Sequence, residues 1–194
     1  MKIVQSFFLG ILGAIGALVL EIIALSFFAP IFSTSETISR EISSLGYLFF
    51  IVIAIEEFFK YILIIKVISK ISENKFVVMN SLFLGVGFSM LELFSFYWNH
   101  RNGIDLEPLA IAGIIIIHAS TALIIGFSAL KNFLPSLLFG FLASFIIHSA
   151  YNILGILKSP HQKQLITVLL GLFVILDFFL LIKSKIADNK ELIG

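Results

Sequence analysis

Cysteine is absent from the 194 residues, which excludes disulfides, thiolate metal sites and cysteine nucleophiles. Charge is scarce, at 13% of residues against about 25% in a soluble domain. The formal net charge is +1 and the basic residues are scattered, so nothing marks a nucleic-acid partner. Outside the apolar segments no stretch is long enough to build a second, water-soluble core. That excludes a receptor ectodomain, a nucleotide-binding domain or a kinase-like appendage. Internal repeats and low-complexity tracts are missing, and so is the H-E-x-x-H pattern of zinc peptidases.

What the chain has instead is apolar length. Hydrophobic residues make up 59%, phenylalanine alone contributes 22, and the mean hydropathy is +1.10. The lipid bilayer is the solvent that suits this composition, with phenylalanine as lipid-facing and packing surface. Six apolar segments stand out: Phe7–Ala29, Leu45–Ser69, Phe76–Trp98, Pro108–Leu130, Leu134–Leu157 and Leu165–Ile182. Each is near the roughly 20 residues a helix needs to cross the hydrocarbon. The first is too long for a signal-peptide core and reads as a retained span. The spacing therefore predicts an all-α polytopic membrane bundle of about six transmembrane helices. Residues 1–194 are expected to form one integral membrane domain, with its core at about 45–157. Pro108 suits a helix first turn, with Asp105 and Glu107 at its positive end. Ser33 and Glu36 have the spacing of a capping box, predicting a short interfacial helix over 33–44.

Six spans put both termini on one side. That side collects Lys2, Lys66, Lys70, Lys75, Lys131, Lys183, Lys185 and Lys190, against Arg40, Arg101, Lys158 and Lys163 on the other. The positive-inside rule then predicts a multi-pass cell-membrane protein with both termini cytoplasmic.

Charged groups near the bilayer centre cost at least ~2.5–3.5 kcal/mol each on insertion scales, yet four consecutive segments carry polar groups there. They are Glu56, Glu57 and Lys60, then Glu92, then His118, then His148 with Asn152. At 1.5 Å per residue, Glu56 lies ~17 Å, Glu92 ~9 Å, His118 ~15 Å, His148 ~14 Å and Asn152 ~8 Å from the outer ends of their segments. With one turn (~5 Å) of play in the segment bounds, all fall in the outer half of a ~30 Å core, so they can share one pocket. Glu56 and Lys60 are i,i+4 and share a face, while Glu57 points about 100° away. His148 and Asn152 project together. Gly85 and Gly87 offer the small surface that lets membrane helices approach. Glu21 and Asp177 have no partner at helical spacing and read as structural, and His100 and His161 fall in connecting loops.

A glutamate held out of bulk water can act as general base on a water molecule, and a nearby histidine can relay the proton. A second histidine and an asparagine can donate to a tetrahedral oxyanion. That is a peptide-hydrolysis constellation. Two histidines and a carboxylate (His118, His148, Glu92) could equally hold zinc. The same residue types would also line the path of a proton- or cation-coupled transporter, or survive in a non-catalytic immunity or assembly factor.

The order of these motifs resembles the PrsW family of intramembrane proteases, related to CAAX prenyl endopeptidases and bacteriocin-immunity-type membrane proteases. The family pattern E-E-x-x-K, F-x-x-x-E, H and H-x-x-x-N is matched by Glu56-Glu57-Phe58-Phe59-Lys60, Phe88-Ser89-Met90-Leu91-Glu92, His118 and His148-Ser149-Ala150-Tyr151-Asn152. Gly85-Val86-Gly87-Phe88 resembles the lead-in to the second motif. The likeness covers roughly residues 50–155. The relatives carry histidine where this chain has Glu92, and Leu93 replaces a frequent asparagine. The resemblance implies cleavage of a membrane-anchored protein, such as an anti-sigma factor, on its extracytoplasmic side. It implies that Glu56 activates water with help from Glu92 or His118, that His148 and Asn152 form the oxyanion pocket, that Glu57 belongs to the same catalytic set, and that Lys60 supports it. It implies no cofactor, with zinc as the alternative, and the lipid bilayer as the protein's other partner.

Overall fold

The computed structural model describes residues 1–32, 38–100, 107–131, 133–157 and 159–191. Among these the chain is helical, with no strand. Six long helices follow one another: α1 (Ile3–Phe32), α2 (Ile38–Leu63), α3 (Asn74–His100), α4 (Pro108–Ala129), α5 (Leu134–Ile156) and α6 (Gln162–Glu191). A π-helical turn, Ile64–Ile68, and a last turn, Ser69–Ile71, continue α2. Five helices are long and apolar enough to cross a membrane: α1, α3, α4, α5 and α6. In α2, Glu56, Glu57 and Lys60 interrupt the apolar character. The protein is an all-α helix bundle of the multi-pass membrane kind.

Several boundaries differ from the sequence reading. Residues 38–44 are the first turns of α2 itself rather than part of a separate interfacial helix, because nothing breaks the helical run from Ile38 onward; Ser33 and Glu36 lie outside the described residues. His100 closes α3 instead of sitting in a loop, whereas His161 does fall in the turn before α6. Pro108 opens α4 with Glu107 at the N-cap position, where a missing N–H costs nothing; Asp105 is outside the described residues.

Helix α4 is the axis of the bundle. Its apolar character runs all round, as expected of a helix surrounded by others, and it buries residues on every face from Gly113 to Ala129. By contrast α1 and α6 expose Phe8, Leu12, Val168 and Phe178, the surface left to lipid.

Two glycine crossings set the spacing on which the site depends. A Cβ on Gly85 would lie 2.2 Å from the His118 carbonyl oxygen, and one on Gly87 would lie 1.9 Å from that of Phe7. Gly10 faces the same crossing, 2.0 Å from the Leu84 oxygen. Backbones can meet this closely only where both Cβ atoms are out of the way. The glycines of α3 therefore bring α1 to one side and α4 to the other. At the end of the bundle where α1 begins, the Met1 ammonium donates to the Ile71 carbonyl (3.2 Å). Asn80 Nδ2 ties the Met1 carbonyl (3.1 Å) to the Ser72 hydroxyl (2.8 Å).

Candidate functional site

Helix geometry separates Glu56 from Glu57. With about 100° between neighbours, Glu57 turns into the bundle and is fully buried, while Glu56 retains 16% side-chain exposure. On the inner face Lys60 Nζ donates to Glu57 Oε1 (2.5 Å) and to Thr121 Oγ1 (2.7 Å), and lies 3.2 Å from His118 Nδ1. Lys60 is itself fully buried, so its charge is balanced entirely by protein groups. His148 Nδ1 approaches the same Glu57 Oε1 at 2.7 Å and Glu56 Oε2 at 3.6 Å.

The two imidazoles meet edge to face, with centroids 5.0 Å apart. Side chains of a helix lean toward its N-terminus, so His118 on α4 reaches along α3 to hydrogen-bond Glu92 through Nε2. An ammonium beside Nδ1 can only donate to it, which assigns the ring proton to Nε2 and makes Glu92 the acceptor. Phe88 stacks against His118, and its ring lies 5.3 Å from Lys60 Nζ. This apolar wall closes one side of the network.

Glu56 and Glu92 both face a cavity of about 200 Å³, and a third carboxylate, Glu21 of α1, lines it with Ala14, Ala17 and Ser95. Reading Glu21 as an isolated structural residue is therefore corrected. The rise per residue already held the signal, because Glu21 lies eight residues before Ala29, ~12 Å from the outer end, level with the other groups. Asp177 is also not alone: Ser120 Oγ donates to its Oδ2 at 2.6 Å, between α4 and α6. Thr121, the third partner of Lys60, has no motif to announce it.

The structure thus brings together Glu56, Glu57, Lys60, Glu92, His118 and His148. Asn152 is half-buried one turn beyond His148, makes no side-chain hydrogen bond among the described residues, and does not line the cavity.

One ligand atom each from Glu56, His118 and His148 falls within 4.8 Å of the others. The set that could converge on a cation thus contains Glu56, not Glu92 as the sequence suggested. Its donors do not suit one. Both His118 nitrogens are engaged, Nδ1 by Lys60 and Nε2 by Glu92, and an ammonium 3.2 Å away opposes a divalent charge.

Comparison with protein-family models, with curated proteins and with solved structures finds no match.

Proposed function

We propose that the chain is an intramembrane peptidase, similar to the PrsW type, that hydrolyses a membrane-anchored protein without a metal. The observation that carries this reading is the contact between Glu56, His148 and the carboxylate-lined cavity, next to the buried Lys60–Glu57–Thr121 group. Six spans, with both termini in the cytoplasm, complete the proposal. On that topology the cavity lies in the outer half of the bilayer.

In the proposed reaction Glu56 takes a proton from a water in the cavity as its oxygen bonds to the scissile carbonyl carbon. The proton held on Glu56 then passes to the departing amine nitrogen as the C–N bond breaks. Glu92, held in place by His118 Nε2–H, accepts from the water opposite Glu56. Glu57 orients His148 through Nδ1–H, and with a proton on both ring nitrogens His148 presents Nε2–H to the developing oxyanion, with Asn152 one turn away. Lys60 holds Glu57 Oε1 in place and so fixes the histidine.

Three carboxylates on one cavity would also suit a proton- or cation-coupled transporter, and one comparison separates the two. Membrane proteomes of cells carrying the wild type or Glu56→Gln are compared for truncated membrane-anchored proteins. The proposal expects a cleavage product that disappears in the variant, while the variant accumulates normally, and a purified reaction that a zinc chelator leaves unchanged. A product that persists in Glu56→Gln overturns Glu56 as the base. Cation flux into liposomes without any cleavage overturns the peptidase.

A further inference from the structure

The opposite end of the bundle holds a second polar cavity, of about 360 Å³, bounded by the ends of α2 and α4 and the starts of α3 and α5. Lys66, Ser69 and Lys70 line it from the end of α2, Asn74 and Val77 from α3, and Leu137 from α5. Nothing in the hydrolytic site reaches it.

Its construction is selective. Lys66 belongs to the π-helical turn Ile64–Ile68, in which Ile64 and Ile68 are fully buried while Lys66 is exposed. A π-turn packs less well than α-helix and recurs at functional positions. Here it lies in the stretch that presents Lys66 and Lys70 to the cavity. Neither lysine forms an ion pair among the described residues, and the nearby Glu73 is paired with Lys75 at 2.7 Å. Ser69 spends its proton on the Ile65 carbonyl (2.6 Å). Two unpaired ammonium groups facing one pocket, with Val77 and Leu137 on its apolar side, make a cradle for an anion attached to something greasy. Basic pockets between helices at a membrane surface hold lipid phosphates in this way.

We propose that this pocket binds a phosphate group, held by Lys66 and Lys70, and that an anionic phospholipid supplies it. Free phosphate shares the recognised chemistry, so the experiment carries one arm for each source. The full-length protein is placed in nanodiscs of phosphatidylcholine with or without phosphatidylglycerol, and retained lipid is counted by native mass spectrometry. In the other arm inorganic phosphate alone is added to the detergent-solubilised protein, and thermal unfolding is followed.

The wild type is expected to retain phosphatidylglycerol over phosphatidylcholine. Lys66→Gln with Lys70→Gln should weaken retention about 30-fold, from two lysines removed. Lys66→Arg with Lys70→Arg should keep it and so report that the variant folds. Lys183→Gln with Lys185→Gln, at the same end of the bundle but outside the pocket, should leave it unchanged. Stabilisation by inorganic phosphate, lost in the Gln pair and without lipid preference, assigns the site to free phosphate and upholds the phosphate chemistry. Equal retention by the Gln pair and the wild type, or an equal loss in Lys183→Gln with Lys185→Gln, overturns the pocket.

Discussion

Glu56 and Glu57 are neighbours in the chain and opposites in the fold. Glu57 looks inward onto a buried network, where Oε1 receives both Lys60 and His148 while Oε2 has no hydrogen-bond partner among the described residues. Glu56 looks toward a cavity shared with Glu21 and Glu92 and has a single histidine at 3.6 Å. The inner face holds its charges in fixed contacts, and the outer face leaves Glu56 partly open to the cavity. A membrane interior allows both only because the charges on the inner face cancel locally.

The sharpest way to break this contrast is to remove one partner from the inner face. Lys60→Met leaves Glu57 as an uncompensated buried charge and is expected to cost about 3–5 kcal/mol, read as lost thermal stability in detergent. Adding Glu57→Gln to it should recover much of that loss. Glu56→Gln should do the reverse, with an unfolding temperature near that of the wild type and cleavage slowed about 10²–10⁴-fold. If the two variants have matching effects on stability and rate, the division of labour is wrong.

Smaller effects sharpen the picture. Gly85→Ala forces its Cβ against the His118 backbone and should cost about 1–3 kcal/mol, with activity falling because the Glu92–His118 contact opens. Glu21→Gln is expected to lower the cleavage rate several-fold and leave unfolding unchanged, since it touches the cavity and not the network. Ser120→Ala removes the bond to Asp177 and should cost about 1 kcal/mol, with no change in cleavage. A large activity loss there would extend the site to α6.

Much of this arrangement was legible before any coordinates. Hydrophobic runs located the six helices, closely for α3, α4 and α5, whereas α2 starts at Ile38 rather than Leu45 and α6 ends at Glu191 rather than Ile182; the depth of each polar group placed Glu56, Glu92, His118 and His148 at one level. Glu21 sits in an otherwise apolar helix with no i,i+3 or i,i+4 partner, and the carboxylates that share its cavity lie on α2 and α3. The cation-capable set was misjudged for a similar reason. Spacing along a helix says which residues share a face, but not that Glu92 would be used by His118. The π-turn at Ile64–Ile68 leaves no mark in an apolar stretch, because its register change is a response to packing.

By itself the amino-acid order determined the solvent, the helices and the level at which charge gathers, since hydropathy and rise per residue are properties of each segment alone. Only the packing decided which side of α2 faces water and which is sealed. It also decided that Glu21 joins the cavity, and which ring nitrogen of His118 meets which neighbour. Those outcomes depend on how glycine crossings let α1, α3 and α4 approach, and the distance between two backbones is written in neither of them separately.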